Sequence, residues 1–302
     1  MNGELKIEFE YSEAAGLGYE PGVTRRDPSC IVRAHGVYHV WYTRTPFGPS
    51  GYDATVWHAT SEDGIDWEEQ GEAIPRGAPG AWDEQSVFTP NILVAEGRYF
   101  LFYTSVEKPY TEEALTAIGV ASASSPGGPW MKYEENPVLR TGPEGSWDSH
   151  RVDDACLILR DGLFWLYYKG REMGLSPRET RMGLAVAEQP TGPYRKAPEN
   201  PLIEGGHEVC VWRQGEGVAA LVQPNGPEGG TLQYSRDGVH FRRIAEVRPP
   251  QAPGPYRADD FRDDRAGDGI EWGLHIGLRS RPLPFLQRFT CTQLAGDWHF
   301  SG

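Results

Sequence analysis

The sequence lacks several features that would place it in particular classes of protein. No apolar run in it approaches the roughly 20 residues that an α-helix needs to cross a bilayer. The first residues, MNGELKIEFEYSE, have no basic start followed by an apolar stretch. Positive charge is scarce, with 29 Lys and Arg against 43 Asp and Glu, and the net charge of -14 would repel a phosphate backbone. We therefore expect no nucleic-acid partner, no membrane partner and a cytoplasmic location.

Cysteine is also sparse, with four residues: Cys30, Cys156, Cys210 and Cys291. Their spacing contains no CxxC pair and fits no zinc template. Three of them lie in the short apolar runs SCIV, ACLIL and VCVW, which predicts buried structural thiols. Reduced, buried cysteines fit a cytoplasmic enzyme.

Helical periodicity of useful length is absent, and the recurring pattern is instead a β-hairpin. An apolar run, a tight turn with Gly and an aromatic-rich strand occur in DPSCIVRAHGVYHVWYT, TPNILVAEGRYFLFYTS and DACLILRDGLFWLYYKG, with a degraded copy in HEVCVWRQGEGVAALVQ. A second strand–turn–strand phrase, such as ATVWHATSEDGIDWEEQG, follows each hairpin. Together the two phrases make a four-stranded unit of roughly 40–50 residues, which is the size of a propeller blade.

These units predict an all-β fold, a five-bladed β-propeller that forms one catalytic domain over residues 1–302. Four blades are expected near residues 27–70, 88–135, 153–198 and 207–246, and a weaker fifth from about Ile270 to the C-terminus. The N-terminal strand LKIEFEY is a candidate to complete the last blade, and the Pro-rich segment 249–268 is predicted to be a long connection. The alternative, a β-sandwich, gives no reason for phrases repeated at this period.

The residues that open the innermost strand of each blade converge on the central channel of a propeller. Read in register, the copies place Asp27, Thr89, Asp154 and His207 at this position. Burying ionisable groups near one another costs free energy unless they are paired or used, so this set predicts a functional site. The segments WDEQSVFTP and WDSHRVDDA align without gaps and favour Asp154, with Asp153 as the alternative if the strand is shifted by one residue.

Glycoside hydrolysis usually needs one group that donates a proton to the leaving oxygen and one that activates water or attacks. Asp27 is the candidate base, and His207 and the adjacent Glu208 are the candidate acids. The reference pKa of histidine, about 6.5, suits proton donation at neutral pH. The alternative for His207 is a metal ligand or a structural histidine.

Further contacts to a substrate are expected from loops on the same rim of the propeller. The candidates are Gln85, Ser86 and Thr89 on blade two, with His150, Arg151 and Asp153 on blade three. Trp57 and His275 are candidates for stacking on a sugar ring or hydrogen bonding to it. Packing between blades is the alternative for each of them.

Several of these stretches resemble glycoside hydrolase family 117: RRDPSCIVRAHGVYHVWYTR, GYDATVWHATSEDGIDWEEQGEA, GAWDEQSVFTPNILV and GGHEV. The likeness runs over almost the whole chain from Gly18, and a weaker likeness extends to the family 43 and family 32 propeller glycosidases. The resemblance implies a five-bladed propeller that releases 3,6-anhydro-L-galactose from the non-reducing end of agar oligosaccharides by an inverting mechanism.

The resemblance also implies roles for individual residues. It implies that Asp27 is the base, that Asp154 or Asp153 is a second aspartate of the site, and that His207 and Glu208 are an adjacent pair in which the histidine is the acid. The resemblance implies no required cofactor. Some members of the family bind a divalent cation near the central channel, so a cation is allowed there, and its ligands stay unassigned. Members often swap an N-terminal helical extension in a dimer, whereas this chain starts almost at blade one, which leaves a homodimer as one option.

The predicted activity is therefore exo-acting hydrolysis of an O-glycosidic bond in an oligosaccharide. The alternatives are an arabinosidase- or xylosidase-like activity of the family 43 kind and a non-catalytic, sugar-binding propeller. A lectin would keep the aromatic residues without needing Asp27 and a proton donor. The charged residues at the strand starts therefore favour an enzyme over a binding module.

Overall fold

A computed structural model describes residues 7–46, 48–207, 209–257, 267–277 and 281–295. The described chain forms five antiparallel sheets, which are the blades of a β-propeller and confirm the predicted fold class. Its helical content is limited, within these ranges, to two single 3-10 turns at Pro177–Glu179 and Thr292–Leu294. No helix in this part of the chain has the length and apolarity that crossing a membrane requires.

The first strand of the chain, β1 (Glu10–Glu13), belongs to the last blade, and blades one to three follow it in sequence. Blade one contains β2 (Thr24–Arg26), β3 (Val32–Ala34), β4 (Val37–Thr45), β5 (Thr55–Ser61) and β6 (Glu68–Ile74). Blade two contains β7 (Val87–Ala95), β8 (Arg98–Val106), β9 (Thr116–Ala123), β10 (Met131–Lys132) and β11 (Leu139–Arg140). Blade three contains β12 (Arg151–Arg160), β13 (Leu163–Arg171), β14 (Arg181–Ala187) and β15 (Arg195–Lys196).

Blades four and five share the segment that the sequence analysis predicted to be a connection. Blade four contains β16 (Val209–Gly215), β17 (Gly217–Val222), β18 (Thr231–Ser235), β19 (Arg242–Glu246) and β21 (Gly267–Asp268). Blade five contains β20 (Gly254–Pro255), β22 (Trp272–Gly277) and β23 (Phe285–Thr290), and β1 pairs with β23 to complete the sheet.

The prediction of a long loop over residues 249–268 was therefore wrong at both ends. β20 is an edge strand of blade five and β21 is an edge strand of blade four. Proline and glycine are tolerated at the edge of a sheet, where one row of backbone groups needs no partner strand, so a Pro-rich composition did not exclude strands here. The predicted closure of the ring by an N-terminal strand is confirmed, and the strand Glu10–Glu13 overlaps the end of LKIEFEY.

The second strand of each hairpin is buried along most of its length because neighbouring blades pack on both of its faces. β8 is buried from Phe100 to Val106, and β17 is buried throughout. Strands buried on both faces read as continuous apolar runs rather than as alternating patterns. The largest apolar cluster accordingly joins side chains from blades one, two and three.

The innermost strands of blades two and three carry a β-bulge at the same place. The pairing of β7 with β8 slips between Phe88 and Asn91, and that of β12 with β13 slips between Asp153 and Cys156. Each strand therefore has one extra residue relative to its neighbour. A bulge breaks the alternation of side chains and re-aims them, which is common beside active sites.

The backbone adopts the same rare conformation where the innermost strand of four blades begins. Asp27, Thr89, Asp154 and Ala252 have φ angles of 50°, 45°, 53° and 44°. These values lie in the left-handed region, which residues other than glycine seldom adopt. The predicted register of the first three residues is therefore confirmed, and Ala252 is the counterpart in blade five that the sequence analysis did not identify.

Side chains on the second strand of one blade bind the start of the innermost strand of the next. The Thr89 amide donates to Thr43 Oγ1 at 2.8 Å, and the Asp154 amide donates to Thr104 Oγ1 at 3.3 Å. Thr43 and Thr104 end the phrases VWYT and LFYT, and Lys169 ends the equivalent phrase LYYK. Blade three therefore has an ammonium group where the two preceding blades have a hydroxyl.

All four cysteines lie in the described part of the chain, where they are buried and form no disulfide. This confirms the prediction of buried thiols. Cys30, Cys156 and Cys210 line the central channel together with the residues that open the innermost strands.

Two histidines are buried next to each other in blade one. His39 Nδ1 and His58 Nε2 lie 3.0 Å apart, and the two rings stack with their centroids 5.2 Å apart. Trp41 stacks on the same pair. Burial lowers the pKa of His39 to about 4 and that of His58 to about 3.

We expect this pair to make the protein less stable as the pH falls. Below the ordinary histidine pKa of about 6.5 the unfolded chain binds protons that the folded protein does not, which favours unfolding. Lowering the pH from about 7 to about 5 should cost about 2 kcal/mol of unfolding free energy for each histidine. Urea unfolding at both pH values measures this loss. In His58→Leu the loss of unfolding free energy between the two pH values should be smaller by the contribution of one histidine. The control is His35→Asn, in an exposed turn, which should show the same loss as the unaltered protein. Equal losses in the two variants would contradict the prediction.

Candidate active site

A cavity of about 210 Å³ lies where the innermost strands of blades one, two and three begin. Asp27, Thr89, Asp153, Asp154 and His207 all line it. Three of these residues, Asp27, Thr89 and Asp154, also line the central channel, so the cavity and the channel share part of their walls. With Arg151, which also lines it, the cavity brings together six of the sequence-predicted site residues, while Glu208 lies outside the described residues.

Asp27 has one engaged oxygen and one open oxygen. Its Oδ2 accepts a hydrogen bond from Arg26 Nε at 2.8 Å, and the side chain is 7% exposed. Its Oδ1 is buried and has no hydrogen-bond partner among the described residues. Because the carboxylate lines the cavity, the open oxygen can accept a proton from a water or a hydroxyl that enters there.

Asp153 and Asp154 both line the cavity because the bulge in β12 removes the usual alternation. Lys169 Nζ lies 2.5 Å from Asp154 Oδ2 and 3.4 Å from Asp153 Oδ1. The choice between the two aspartates is therefore not exclusive, although only Asp154 also lines the channel. Burial raises the pKa of Asp153 to about 6; the charge of Lys169 opposes this shift and that of Asp154 adds to it.

His207 is a neutral imidazole in the free protein at neutral pH. The positive charge of Lys169, followed by burial, lowers the pKa of His207 to about 3, and Asp154 acts in the opposite direction. Its Nδ1 is buried without a hydrogen-bond partner in the described part of the chain. The expectation that its reference pKa would suit proton donation was therefore wrong for the free protein.

Two predicted contact residues support the rim of the cavity rather than line it. Gln85 Nε2 donates to the Tyr52 carbonyl at 2.9 Å, and Ser86 Oγ donates to the Gly51 carbonyl at 2.6 Å. Tyr52 and Gly51 line the cavity themselves. Gln85 and Ser86 thus hold this loop and are not among the residues that line the cavity, and their direct contact with a substrate stays a prediction.

Three other predicted residues lie away from the cavity. Trp57 is on β5, and the Arg44 guanidinium packs on its ring at 3.9 Å. His150 is buried just before β12, where its amide donates to the Arg171 carbonyl at 3.0 Å. His275 is on β22 and lines a separate cavity. The contact with Arg44 favours packing for Trp57, whereas contacts of His150 and His275 with a substrate stay predictions.

The cavity also contains charged and aromatic residues that the sequence analysis did not single out. They are Arg26, Tyr52, Glu112, Lys169 and Arg171. Two of them could have been recognised from the sequence. Lys169 occupies the position of a threonine in the aligned phrases of blades one and two, and Arg26 directly precedes Asp27. Tyr52 and Glu112 lie in loops that do not repeat between blades, so their positions could not be aligned with those of other blades.

No group of three or more His, Cys, Asp and Glu side chains in the described ranges is arranged to hold a metal ion. Lys169 supplies the positive charge beside Asp153 and Asp154. The divalent cation that the family resemblance allows therefore has no ligand set among these residues.

Comparison with known proteins shows an extensive match to a solved structure that extends to its sequence. Zg3597, a family 117 glycoside hydrolase produced by the marine bacterium Zobellia galactanivorans, is 33% identical in sequence and superposes with a TM-score of 0.87. The match covers 98% of this chain and 96% of that one. It therefore extends over the whole propeller and includes every blade that contributes to the cavity.

Other matches are partial or concern the fold alone. The family model described as the glycosyl hydrolases family 32 N-terminal domain matches residues 24–173. The 6(G)-fructosyltransferase of Asparagus officinalis is 34% identical over 125 residues, which are 39% of this chain and 19% of that protein. The β-fructofuranosidase CWINV3 of Arabidopsis thaliana is 26% identical over 53% of this chain and 26% of its own length, so the chain matches about a quarter or less of these curated relatives. Fructan 1-exohydrolase IIa from Cichorium intybus shares the fold, with a TM-score of 0.62 at 16% identity, over 95% of this chain and 57% of that one.

Proposed function

Since this chain belongs to glycoside hydrolase family 117, we propose that it is an exo-acting, inverting glycosidase that removes a terminal 3,6-anhydro-L-galactose-type sugar from agar-type oligosaccharides. The observation that carries the proposal is the open, buried Oδ1 of Asp27 in a small cavity that Asp154 and His207 also line. A small cavity suits one terminal sugar rather than the middle of a chain. The carboxylate suits a base that activates water.

In the proposed reaction Asp27 Oδ1 accepts a proton from a water that attacks the anomeric carbon. Arg26 holds the other oxygen and so fixes the orientation of the carboxylate. The bond from the anomeric carbon to the leaving oxygen breaks, and that oxygen takes a proton from an acid on the opposite side of the sugar.

Two described groups compete for the role of acid. His207 is the residue that the family resemblance favours, and Asp154 beside it stabilises the imidazolium form. Asp153 is the other candidate, since burial raises its pKa to about 6 and keeps a proton on it in weakly acidic solution. We assign the acid to His207 and retain Asp153 as the alternative.

The test is a screen of oligosaccharides followed by stereochemical analysis. Agar-, arabinan- and xylan-derived oligosaccharides are incubated with the protein, and we expect a monosaccharide from the non-reducing end of the agar-derived set. Proton NMR during the first turnovers should show the anomer opposite to that of the substrate. Retention of configuration, internal cleavage or release from the arabinan or xylan set alone would contradict the proposal.

A further inference from the structure

Two buried arginines face each other across the hairpin of blade three. Arg151 begins β12 and Arg171 ends β13, and the two are direct partners in the antiparallel register. They are 3% and 8% exposed, and both line the cavity. Like charges directly opposite each other in a sheet destabilise it, and burial removes the water that would screen them.

Neither guanidinium has a carboxylate partner within ion-pair distance among the described residues. Arg151 donates through Nη2 to the Glu112 carbonyl at 3.3 Å, while its Nε and Nη1 and the Nε of Arg171 are buried without hydrogen bonds. The charges of Asp153 and Glu112 act on Arg171, and Asp153 also acts on Arg151, but neither carboxylate forms an ion pair with these guanidinium groups in the described ranges.

The other two cations of the cavity differ from this pair. Arg26 binds Asp27 at 2.8 Å, and Lys169 binds Asp154 at 2.5 Å. Buried charges in folded proteins are usually paired, so two adjacent guanidinium groups without a carboxylate indicate that their counter-charge arrives with a ligand.

We propose that Arg151 and Arg171 bind an anionic substituent, a sulfate ester or a carboxylate, on the sugar that this enzyme recognises. The inference rests on the proposed function, because it names the class of substrate for the same cavity. Guanidinium groups donate paired hydrogen bonds that match the oxygens of carboxylate and of tetrahedral oxyanions, whereas neutral hydroxyls would leave both guanidinium groups without a directly bonded anion.

The charges around His207 are consistent with such a ligand. Lys169, Arg171 and Arg26 all lower the pKa of His207, and Asp154 raises it. An anion on Arg171 would offset part of this positive potential and raise the pKa of His207. An anionic substrate would therefore help to protonate the residue that we assign as the acid.

The binding test uses the Asp27→Asn protein, so that substrate binds without turnover. Three probes are titrated by calorimetry: a neutral agar-type disaccharide, the same disaccharide with a sulfate ester, and a disaccharide with a terminal hexuronate. We expect one of the anionic probes to bind at least about tenfold more tightly than the neutral probe. The arm that shows the preference identifies the substituent as sulfate or carboxylate.

Arginine variants in the same background test the residues themselves. Arg151→Met and Arg171→Met should each reduce the preference for the anionic probe about tenfold or more. Arg151→Lys should have an intermediate effect, because lysine keeps the positive charge but cannot donate the paired hydrogen bonds of a guanidinium group. Arg140→Met, an exposed arginine at the end of β11, should leave the preference unchanged. Without ligand, the two Met variants should raise the melting temperature, since each removes one of two repelling charges; a structural role predicts a lower melting temperature.

The outcomes separate this inference from the proposed function. Equal binding of all probes, or equal weakening of the neutral and anionic probes in the Met variants, would overturn the inference, even if the wild-type protein hydrolyses neutral oligosaccharides. Arginine-dependent binding of an anionic probe that the wild-type protein does not hydrolyse would support the inference and count against the proposed hydrolysis.

Discussion

Asp27→Asn should lower turnover about 10²–10⁴-fold, which is the usual contribution of a positioned base. Asparagine keeps the shape of the side chain and a hydrogen-bonding oxygen, but it cannot accept the proton of the attacking water. It also tolerates the left-handed backbone at this position, where φ is 50°, whereas alanine would add strain. The substitution therefore isolates the loss of the base from a change in fold.

Asp161→Asn is the matched control for this variant. Asp161 also has a left-handed backbone, with φ of 54°, but it is exposed in the turn between β12 and β13. Steady-state kinetics on the oligosaccharide identified by the screen should show a loss of turnover in the first variant alone. Azide or formate can act as an external nucleophile or base, and recovery of activity with either would support the assignment. A loss below about tenfold would mean that another group activates the water.

The blade architecture could be predicted because each blade repeats a local phrase. The strand–turn–strand pattern fixes both the hairpin and its register, and the aligned positions of Asp27, Thr89 and Asp154 follow from it. The bulge did not follow, because one extra residue in a strand has no signature in the pattern of apolar side chains. The choice between Asp153 and Asp154 assumed that successive side chains point to opposite faces of the strand, and the bulge removes this alternation.

Contacts between blades explain most of the remaining errors. The pKa of His207 depends on Lys169, which lies on the preceding blade and about forty residues earlier in the chain. Trp57 and His275 are aromatic residues within strands, and only the packing of the blades decides whether they face a cavity. Such contacts depend on the closed ring, which no local pattern describes.

His207→Gln should separate substrates by the quality of their leaving group. If His207 is the acid, turnover of a natural oligosaccharide should fall about 10²–10⁴-fold, because its leaving oxygen needs a proton as the bond breaks. A p-nitrophenyl glycoside of the same sugar should lose far less, because nitrophenolate leaves without protonation. His240→Gln, on an exposed turn outside the cavity, is the control and should change neither rate. Equal losses on both substrates would make His207 a binding residue.

The dependence of the rates on pH then distinguishes His207 from Asp153 as the acid. The alkaline limb of kcat/KM reports the acid of the free enzyme, and that of kcat reports the acid of the complex. With Asp153 as the acid, the limb of kcat/KM should lie near its pKa of about 6 and disappear in Asp153→Asn. With His207 as the acid, the alkaline limb of kcat/KM should lie near the pKa of His207 in the free enzyme, about 3. The alkaline limb of kcat should lie at higher pH, because bound substrate must raise the pKa of His207 for the imidazole to hold its proton. Lys169→Met should then move the limb of kcat/KM to higher pH, since it removes the charge that most strongly lowers the pKa of His207. Because Lys169 also lowers the pKa of Asp153, Asp153→Asn is the variant that separates the two candidates. An alkaline limb that persists in Asp153→Asn excludes Asp153 as the acid, and a limb that disappears excludes His207.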